Sequence, residues 1–407
     1  MEDTTSRIVI VGGGLAGVKT AEQLRLQGHT GSIILFAAEH DLPYERPPLS
    51  KQFLAGKTDF VDAVVHPQQW FTEHDVDLRS GEQVVDVRAT AREVVLADGT
   101  VVEFDVLVLA TGSEPRTLSV PGAETALRLR TRRDAETIRA SFGVGKRLVV
   151  VGAGWIGLEV AAAARNAGTE VVVIESAEQP LSAVLGNEMG KMFAALHRQH
   201  GVDLHLETSV AEIDSQGVRL SDCTHVAADA VVVGIGAVPR TELAVSAGLE
   251  VDNGVLVDRS LRSSDPDIYA VGDIANQDHP TLGHRVRVEH WAAALNQPAV
   301  AAATIIKGSR VGTYDALPYF FSDQYDLGME YVGYVPPGAS TSLVVRGDVD
   351  KREFVALWLD SEDRVLAGMN VNIWDVIDDI KTLIRDRTPV DPARIADPSV
   401  PLSASTA

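Results

Sequence analysis

Gly12, Gly14 and Gly17 stand in the spacing G-x-G-x-x-G, and Gly152, Gly154 and Gly157 repeat it 140 residues later. In such a turn the first glycine permits a tight reversal, the second lets a pyrophosphate approach the backbone, and the third lets a helix pack closely on a strand. The chemistry this predicts is dinucleotide binding at a helix amino terminus, where unpaired N–H groups and the helix dipole favour phosphate. Glu175, eighteen residues past Gly157, is placed for its carboxylate to accept hydrogen bonds from the adenine ribose hydroxyls. That charge repels a 2′-phosphate, and residues 176–183 contain no arginine to neutralise one, so NADH is expected over NADPH.

A glycine turn alone is weak evidence; here each copy lies in a complete frame. The first follows an apolar run over 8–11 and precedes a helical pattern over 18–27. The second follows residues 148–151 and opens a helix over 155–167, after which a third apolar run over 170–174 ends at Glu175. Continuous apolar runs of this length predict strands buried on both faces of a parallel sheet. Two such units require two dinucleotides, and the economical pairing is a flavin with a nicotinamide, since a flavin can pass on what a nicotinamide delivers.

The rest of the composition narrows the class. With 36 Lys+Arg against 57 Asp+Glu, the 407-residue chain has a formal charge of −21, which excludes a general polyanion binder and disfavours anionic membranes. The length suggests two to four domains. Cys223 is the single cysteine, so an intramolecular disulfide, a CxxC pair and a multi-cysteine metal site are excluded; its Ser-Asp-Cys-Thr setting predicts a turn between short strands. The amino terminus has no apolar segment, so no signal peptide is expected. The longest apolar stretch, 148–164, is broken by three glycines and Glu159, which argues against a membrane span.

Residues 42–51, Leu-Pro-Tyr-Glu-Arg-Pro-Pro-Leu-Ser-Lys, carry a resemblance. They are similar to a segment of the FAD-dependent ferredoxin reductases of bacterial oxygenase systems, the putidaredoxin reductase-like group of the pyridine nucleotide-disulfide oxidoreductases that lacks the redox cysteines. Residues 108–116, 268–273, 288–291 and 318–324 resemble further segments of that group, so the likeness runs from Ile8 to about Arg385. It implies FAD contacts at Arg46, Pro47, Thr111, Gly112, Arg116, Gly272 and Asp273, with Asp273 holding the ribityl chain, and a nicotinamide-side contact at Gly236. Glu289, His290, Trp291 and Phe321 are implied to line the isoalloxazine, and Lys51 with Glu159 to form a pair beside it. A lysine there would stabilise the anionic reduced ring, and the glutamate would fix the lysine's position. The first acid after the run over 33–36 is Glu39, assigned to the FAD ribose. Arg240 stands where relatives commonly carry asparagine.

The expected fold is α/β: two Rossmann-like dinucleotide-binding domains, for FAD and NAD, plus a smaller α+β carboxyl-terminal domain. Residues 1–119 and 252–317 are expected to form a discontinuous FAD domain, 120–251 the NAD domain, 318–388 the carboxyl-terminal domain, and 389–407, which contains four prolines, an extended or disordered tail. A hairpin is expected over 93–104 around Asp98-Gly99. The activity implied is cytoplasmic electron transfer from NADH through FAD to an iron-sulfur ferredoxin that supplies a monooxygenase or dioxygenase, by a monomer or weak homodimer without a metal, nucleic-acid or membrane partner. Alternatives are an NADH-dependent reductase of rubredoxin, monodehydroascorbate or a quinone, and an apoptosis-inducing-factor-like protein switched by NADH. Since ferredoxins are usually acidic, docking at this net charge calls for a basic patch, with candidates at 128–133, Arg285 with Arg287, and Lys307 with Arg310.

Overall fold

The computed structural model describes residues 4–308 and 312–405, so Arg310 lies outside the described residues. Contacts divide the chain into two compact units, Met1–Glu45 with Val61–Glu114 and Val238–Tyr319, and Arg46–Phe60 with Pro115–Ala237 and Phe320–Ala407.

The first unit is organised by a five-stranded parallel sheet in the order Ile268–Ala270, Val106–Leu109, Ile8–Val11, Ile33–Ala37, Val76–Ser80. All four residues of Ile8–Val11 are buried, as are all four of Val106–Leu109, which explains runs without polar alternation. The hairpin forms with Glu93–Leu96 antiparallel to Val101–Glu103, closed by the Leu96 N–H on the Thr100 carbonyl at 2.8 Å and by Gly99 at φ +88°. Helix Leu15–Leu26 starts three residues earlier than its pattern suggested, directly on the glycine turn.

The second unit contains a four-stranded parallel sheet, in the order Asp203–His205, Glu170–Ile174, Arg147–Val151, Ala230–Val233. Its carboxyl-terminal part is a five-stranded antiparallel sheet, Tyr319–Gln324, Leu327–Gly333, Val365–Val371, Glu353–Leu359, Ser342–Asp348, with helix Ile377–Asp386 against it. An aromatic series joins the helix that follows the second glycine turn to this sheet: Trp155 meets Phe193 and Phe320, with ring centroids 5.6 and 5.0 Å away, and Phe320 stacks on Tyr331 at 5.0 Å. Cys223 is exposed in the turn between Gly217–Leu220 and His225–Ala227, as its neighbours predicted.

The expectation of an extended or disordered tail is corrected. Residues 389–405 pack as structure: Pro392–Ala396 is a short helix with proline at its start and the Asp391 carboxylate capping the N–H groups of Ala393 and Arg394. Val390, Ile395 and Leu402 are buried, and Arg346 donates to the carbonyls of Ile395 and Val400 at 3.3 and 2.9 Å. The prolines mark turns and a helix start here, a use of proline that composition alone does not distinguish from disorder.

Candidate functional site

The two glycine turns have matching local geometry. Gly12 has φ +123° and Gly152 φ +101°, a region that costs L side chains strain, and a Cβ on either would fall 2.2 Å from the Ala110 carbonyl or 2.5 Å from that of Gly234. A Cβ on Gly17 or Gly157 would lie 2.0 or 2.1 Å from the carbonyl of the first glycine of its own turn. The middle glycines differ in kind. Gly14 has an ordinary φ of −81° and nothing within 4 Å of an added Cβ, and the nearest atom to one on Gly154 is 3.9 Å away. The chain itself therefore has no use for glycine at 14 and 154; a group that must approach the backbone does. Helices Leu15–Leu26 and Trp155–Asn166 both begin there without a side-chain cap and without an acid in the first turn. An uncapped helix start behind an open glycine fits a pyrophosphate.

In the first unit, three separate sequence signatures converge at the carboxyl ends of the parallel strands. Thr111 abuts the first glycine turn, since a Cβ on Gly12 would lie 3.1 Å from its nitrogen, and Gly272, at φ +77°, faces Ala16 at 3.0 Å by the same measure. Asp273, in the short turn Gly272–Ile274, accepts from Ser113 Oγ at 2.8 Å, and the Gly272 N–H is held by buried Gln297 at 2.7 Å. Gly112 has φ +69°, and its carbonyl accepts from the Arg240 N–H at 3.0 Å. Crevices beyond the carboxyl ends of parallel strands are where such folds take nucleotides. His290 stands at the N-cap position of helix Trp291–Lys307 without a side-chain capping bond, and its burial holds the imidazole down to about 4, against a smaller opposing effect of Asp273. Glu289 pairs with Arg287 at 2.7 Å.

Glu39 is placed differently from Glu175. The register pairs Val11 with Phe36 and Val151 with Ile174, so the position matching Glu175 is Ala37. Ala37 lies against Gly13, where an added Cβ would come to 2.3 Å. Glu39 lies two residues further on and accepts from the Tyr44 hydroxyl at 2.6 Å. Glu175 stands directly at the second turn: Oε2 accepts from the Ala153 N–H at 2.6 Å and Oε1 from the Ala177 N–H at 2.8 Å. Oε1 also accepts from Ser176 Oγ at 3.2 Å, and Oε2 keeps a lone pair for a hydroxyl.

The second unit also contains the Lys51 and Glu159 pair. Pro47–Ser50 is a single 3₁₀ turn preceded by Arg46, which donates to the Arg130 carbonyl. The turn brings Lys51 to helix Trp155–Asn166, where its Nζ lies 2.8 Å from Glu159 Oε1, with the two side chains only 7% and 2% exposed. The Lys51 ammonium also lies 5.2 Å from the centre of the Phe321 ring. Two residues that sequence reasoning missed complete the carboxylate's shell: Ser50 bonds Oε2, and Ser322 donates to Oε1 at 2.6 Å. Nearby, burial raises the Asp323 carboxyl above its usual range, with Lys51 opposing and Glu159 adding to the rise. Arg116 and Gly236 meet through the Arg116 N–H on the Gly236 carbonyl at 2.9 Å, and Gly236 has φ +99°.

Residues 6–297 match the family model described as pyridine nucleotide-disulphide oxidoreductase, and residues 319–406 match that of the reductase C-terminal domain. The chain is 40% identical to the anthranilate 1,2-dioxygenase system ferredoxin–NAD(+) reductase component of Burkholderia cepacia, covering 97% of this chain and 98% of that one. It is 38% identical to putidaredoxin reductase of Pseudomonas putida, covering 98% and 96% respectively. Among solved structures, the reductase chain of the covalent putidaredoxin reductase–putidaredoxin complex superposes with a TM-score of 0.92 at 38% identity, with 98% of each chain covered.

Proposed function

The chain belongs to the pyridine nucleotide-disulphide oxidoreductase family, and on that premise we propose that it is an NADH-dependent, FAD-containing ferredoxin reductase that supplies a monooxygenase or dioxygenase. The observation that carries this reading is the presence of two open glycine cradles in a chain whose single cysteine is exposed in a turn between two short strands. Two dinucleotides can be held, and no thiol pair exists to take the electrons onward.

When bound, FAD accepts an electron pair from NADH and gives electrons up singly to an iron-sulfur centre. The protein's own residues bind, orient and balance charge. Gly12, Gly14 and Gly17, with Thr111, Gly112 and the Gly272–Asp273 turn, hold the FAD; Asp273, steadied by Ser113, takes a ribityl hydroxyl, and Glu39 the adenine ribose. Gly152, Gly154 and Gly157 take the NADH pyrophosphate, and Glu175 the ribose. The Lys51 ammonium, fixed by Glu159, offsets negative charge gained in the reaction. His290, Trp291 and Phe321 line the isoalloxazine, with Glu289 fixing Arg287 beside them, while Arg46 and Arg116 serve the FAD phosphates or ring edge. FAD is allotted to 1–119 and 252–317, and NADH to 120–251.

Ferredoxin docking is allotted to Arg128 and Arg133, both exposed. Arg287 is less suited, being 9% exposed and bonded to Glu289. A cytoplasmic setting supplies NADH; no described helix is long and apolar enough to cross a membrane. We infer a monomer or weak homodimer.

Glu175→Ala is expected to lower kcat/KM for NADH and to reduce the preference over NADPH by roughly tenfold, about 1.4 kcal/mol of discrimination. Steady-state kinetics with both coenzymes measure this, and an unchanged ratio would remove Glu175 from the ribose site.

A further inference from the structure

Glu159 is also the end point of a run of hydrogen bonds that crosses the second unit. Ser322 Oγ lies 2.6 Å from Glu159 Oε1, Gln324 Nε2 lies 3.2 Å from Ser322 Oγ, and His197 Nε2 lies 2.8 Å from Gln324 Oε1. Tyr325 Oη lies 3.2 Å from His197 Nδ1. Ser322 and Gln324 share one face of strand Tyr319–Gln324, and His197 projects from helix Ser182–Gln199. All three are 1% exposed or less.

The carboxylate fixes the direction of every link. Paired with the Lys51 ammonium, it can only accept, so Ser322 donates to it. Ser322 then accepts from the Gln324 amide, which turns Gln324 Oε1 toward His197. That oxygen has no proton, so His197 Nε2 must supply one. Burial holds the His197 imidazole down to about 4, the bond to Gln324 opposing it, so the ring is neutral near pH 7 and Nδ1 is an acceptor. Tyr325 fills that role; burial raises its hydroxyl above the ordinary range, and His200 stacks on its ring at 3.7 Å. Aligned hydrogen bonds polarise one another, so the run acts on Glu159 as a unit.

We propose that His197, Gln324 and Ser322 form a one-way donor chain from Tyr325 to Glu159 that fixes the carboxylate and, through it, the Lys51 ammonium, making His197 and Gln324 positioning residues for electron uptake from NADH. This rests on the assignment of the Lys51 and Glu159 pair to the flavin. The competing explanation is that these buried groups merely satisfy one another.

The test uses the FAD-loaded protein. Ring-nitrogen NMR of histidine-labelled wild type should find a proton on His197 Nε2 and none on Nδ1 near neutral pH. His197→Leu and Gln324→Leu should slow flavin reduction at saturating NADH about fivefold, the factor one net hydrogen bond is worth, with KM unchanged. They should also shift the flavin midpoint potential in the same direction as Glu159→Gln. His197→Gln, which places an N–H where Nε2 stood, should return both values toward wild type. A doubly protonated ring, or one protonated on Nδ1, overturns the chain. So do leucine variants with wild-type rate and potential when Glu159→Gln alters both, a result that leaves the reductase reading standing. If Glu159→Gln changes neither, the chain and the flavin assignment of the pair both fall.

Discussion

Lys51→Met is expected to slow NADH-driven flavin reduction roughly a hundredfold, the scale of losing one preorganised charge at a reacting group, and to destabilise the fold by about 3 kcal/mol. The second effect follows from burial. With side-chain exposures of 7% and 2%, neither Lys51 nor Glu159 recovers solvation when its partner goes. Methionine keeps much of the lysine's length but leaves an uncompensated carboxylate between Ser50 and Ser322, and breaking a buried pair from one side costs about 3–5 kcal/mol. The two effects separate in the double variant. Adding Glu159→Gln removes the stranded charge and keeps both serines partnered, Ser322 donating to the amide oxygen and Ser50 accepting from the amide nitrogen, so stability should largely return and the rate should not. Denaturant unfolding and stopped-flow reduction measure the two quantities. A single variant with wild-type stability and rate would reduce the pair to an ordinary ionic contact.

Substitutions at the two middle glycines are expected to remove different cofactors from an intact fold. Gly14→Val should give a folded, colourless protein with its FAD Kd raised at least a hundredfold, about 3 kcal/mol. Backbone strain does not enter, because φ at Gly14 is −81° and an added Cβ meets nothing within 4 Å. The new side chain occupies only the space allotted to a pyrophosphate. Gly154→Val, with its nearest atom 3.9 Å from a Cβ, should stay yellow and raise KM for NADH by about tenfold or more, at least 1.4 kcal/mol. Gly17→Ala supplies the contrast: its Cβ would lie 2.0 Å from a backbone carbonyl, so failure to fold is expected there. Circular dichroism, FAD content and NADH kinetics distinguish the outcomes. A colourless Gly154→Val with a yellow Gly14→Val would exchange the two cofactor assignments.

The parts of this architecture legible in the sequence are those set by the backbone over short spans. The glycine turns, the apolar strands beside them and Glu175 at a strand end each lie within about thirty residues, where spacing determines geometry. Glu39 shows the limit of that reasoning. Counting forward from the helix finds the next acid, but the register that makes Ala37 the counterpart of Glu175 depends on where the strands align. The tail was misread because Pro392 at a capped helix start and Pro401 before a turn give the same composition as a disordered segment. The shell of Glu159 left the faintest trace. Ser50 lies 109 residues from it and Ser322 lies 163, and His197 is 127 from Gln324, so no local pattern links them. Only the alternation of Ser322 and Gln324 on one strand face hinted at a shared neighbour.

As a ferredoxin reductase, this chain should pass electrons from NADH to an iron-sulfur ferredoxin. The most direct test is anaerobic stopped-flow mixing of the FAD-loaded protein and NADH with a ferredoxin encoded in the same genome, following the iron-sulfur absorbance beside NADPH, quinone and oxygen controls. The ferredoxin is expected to be reduced with NADH much faster than with NADPH, and to outcompete quinone and oxygen as acceptor. A flavin that NADH reduces readily while the ferredoxin stays oxidised would contradict this electron transfer.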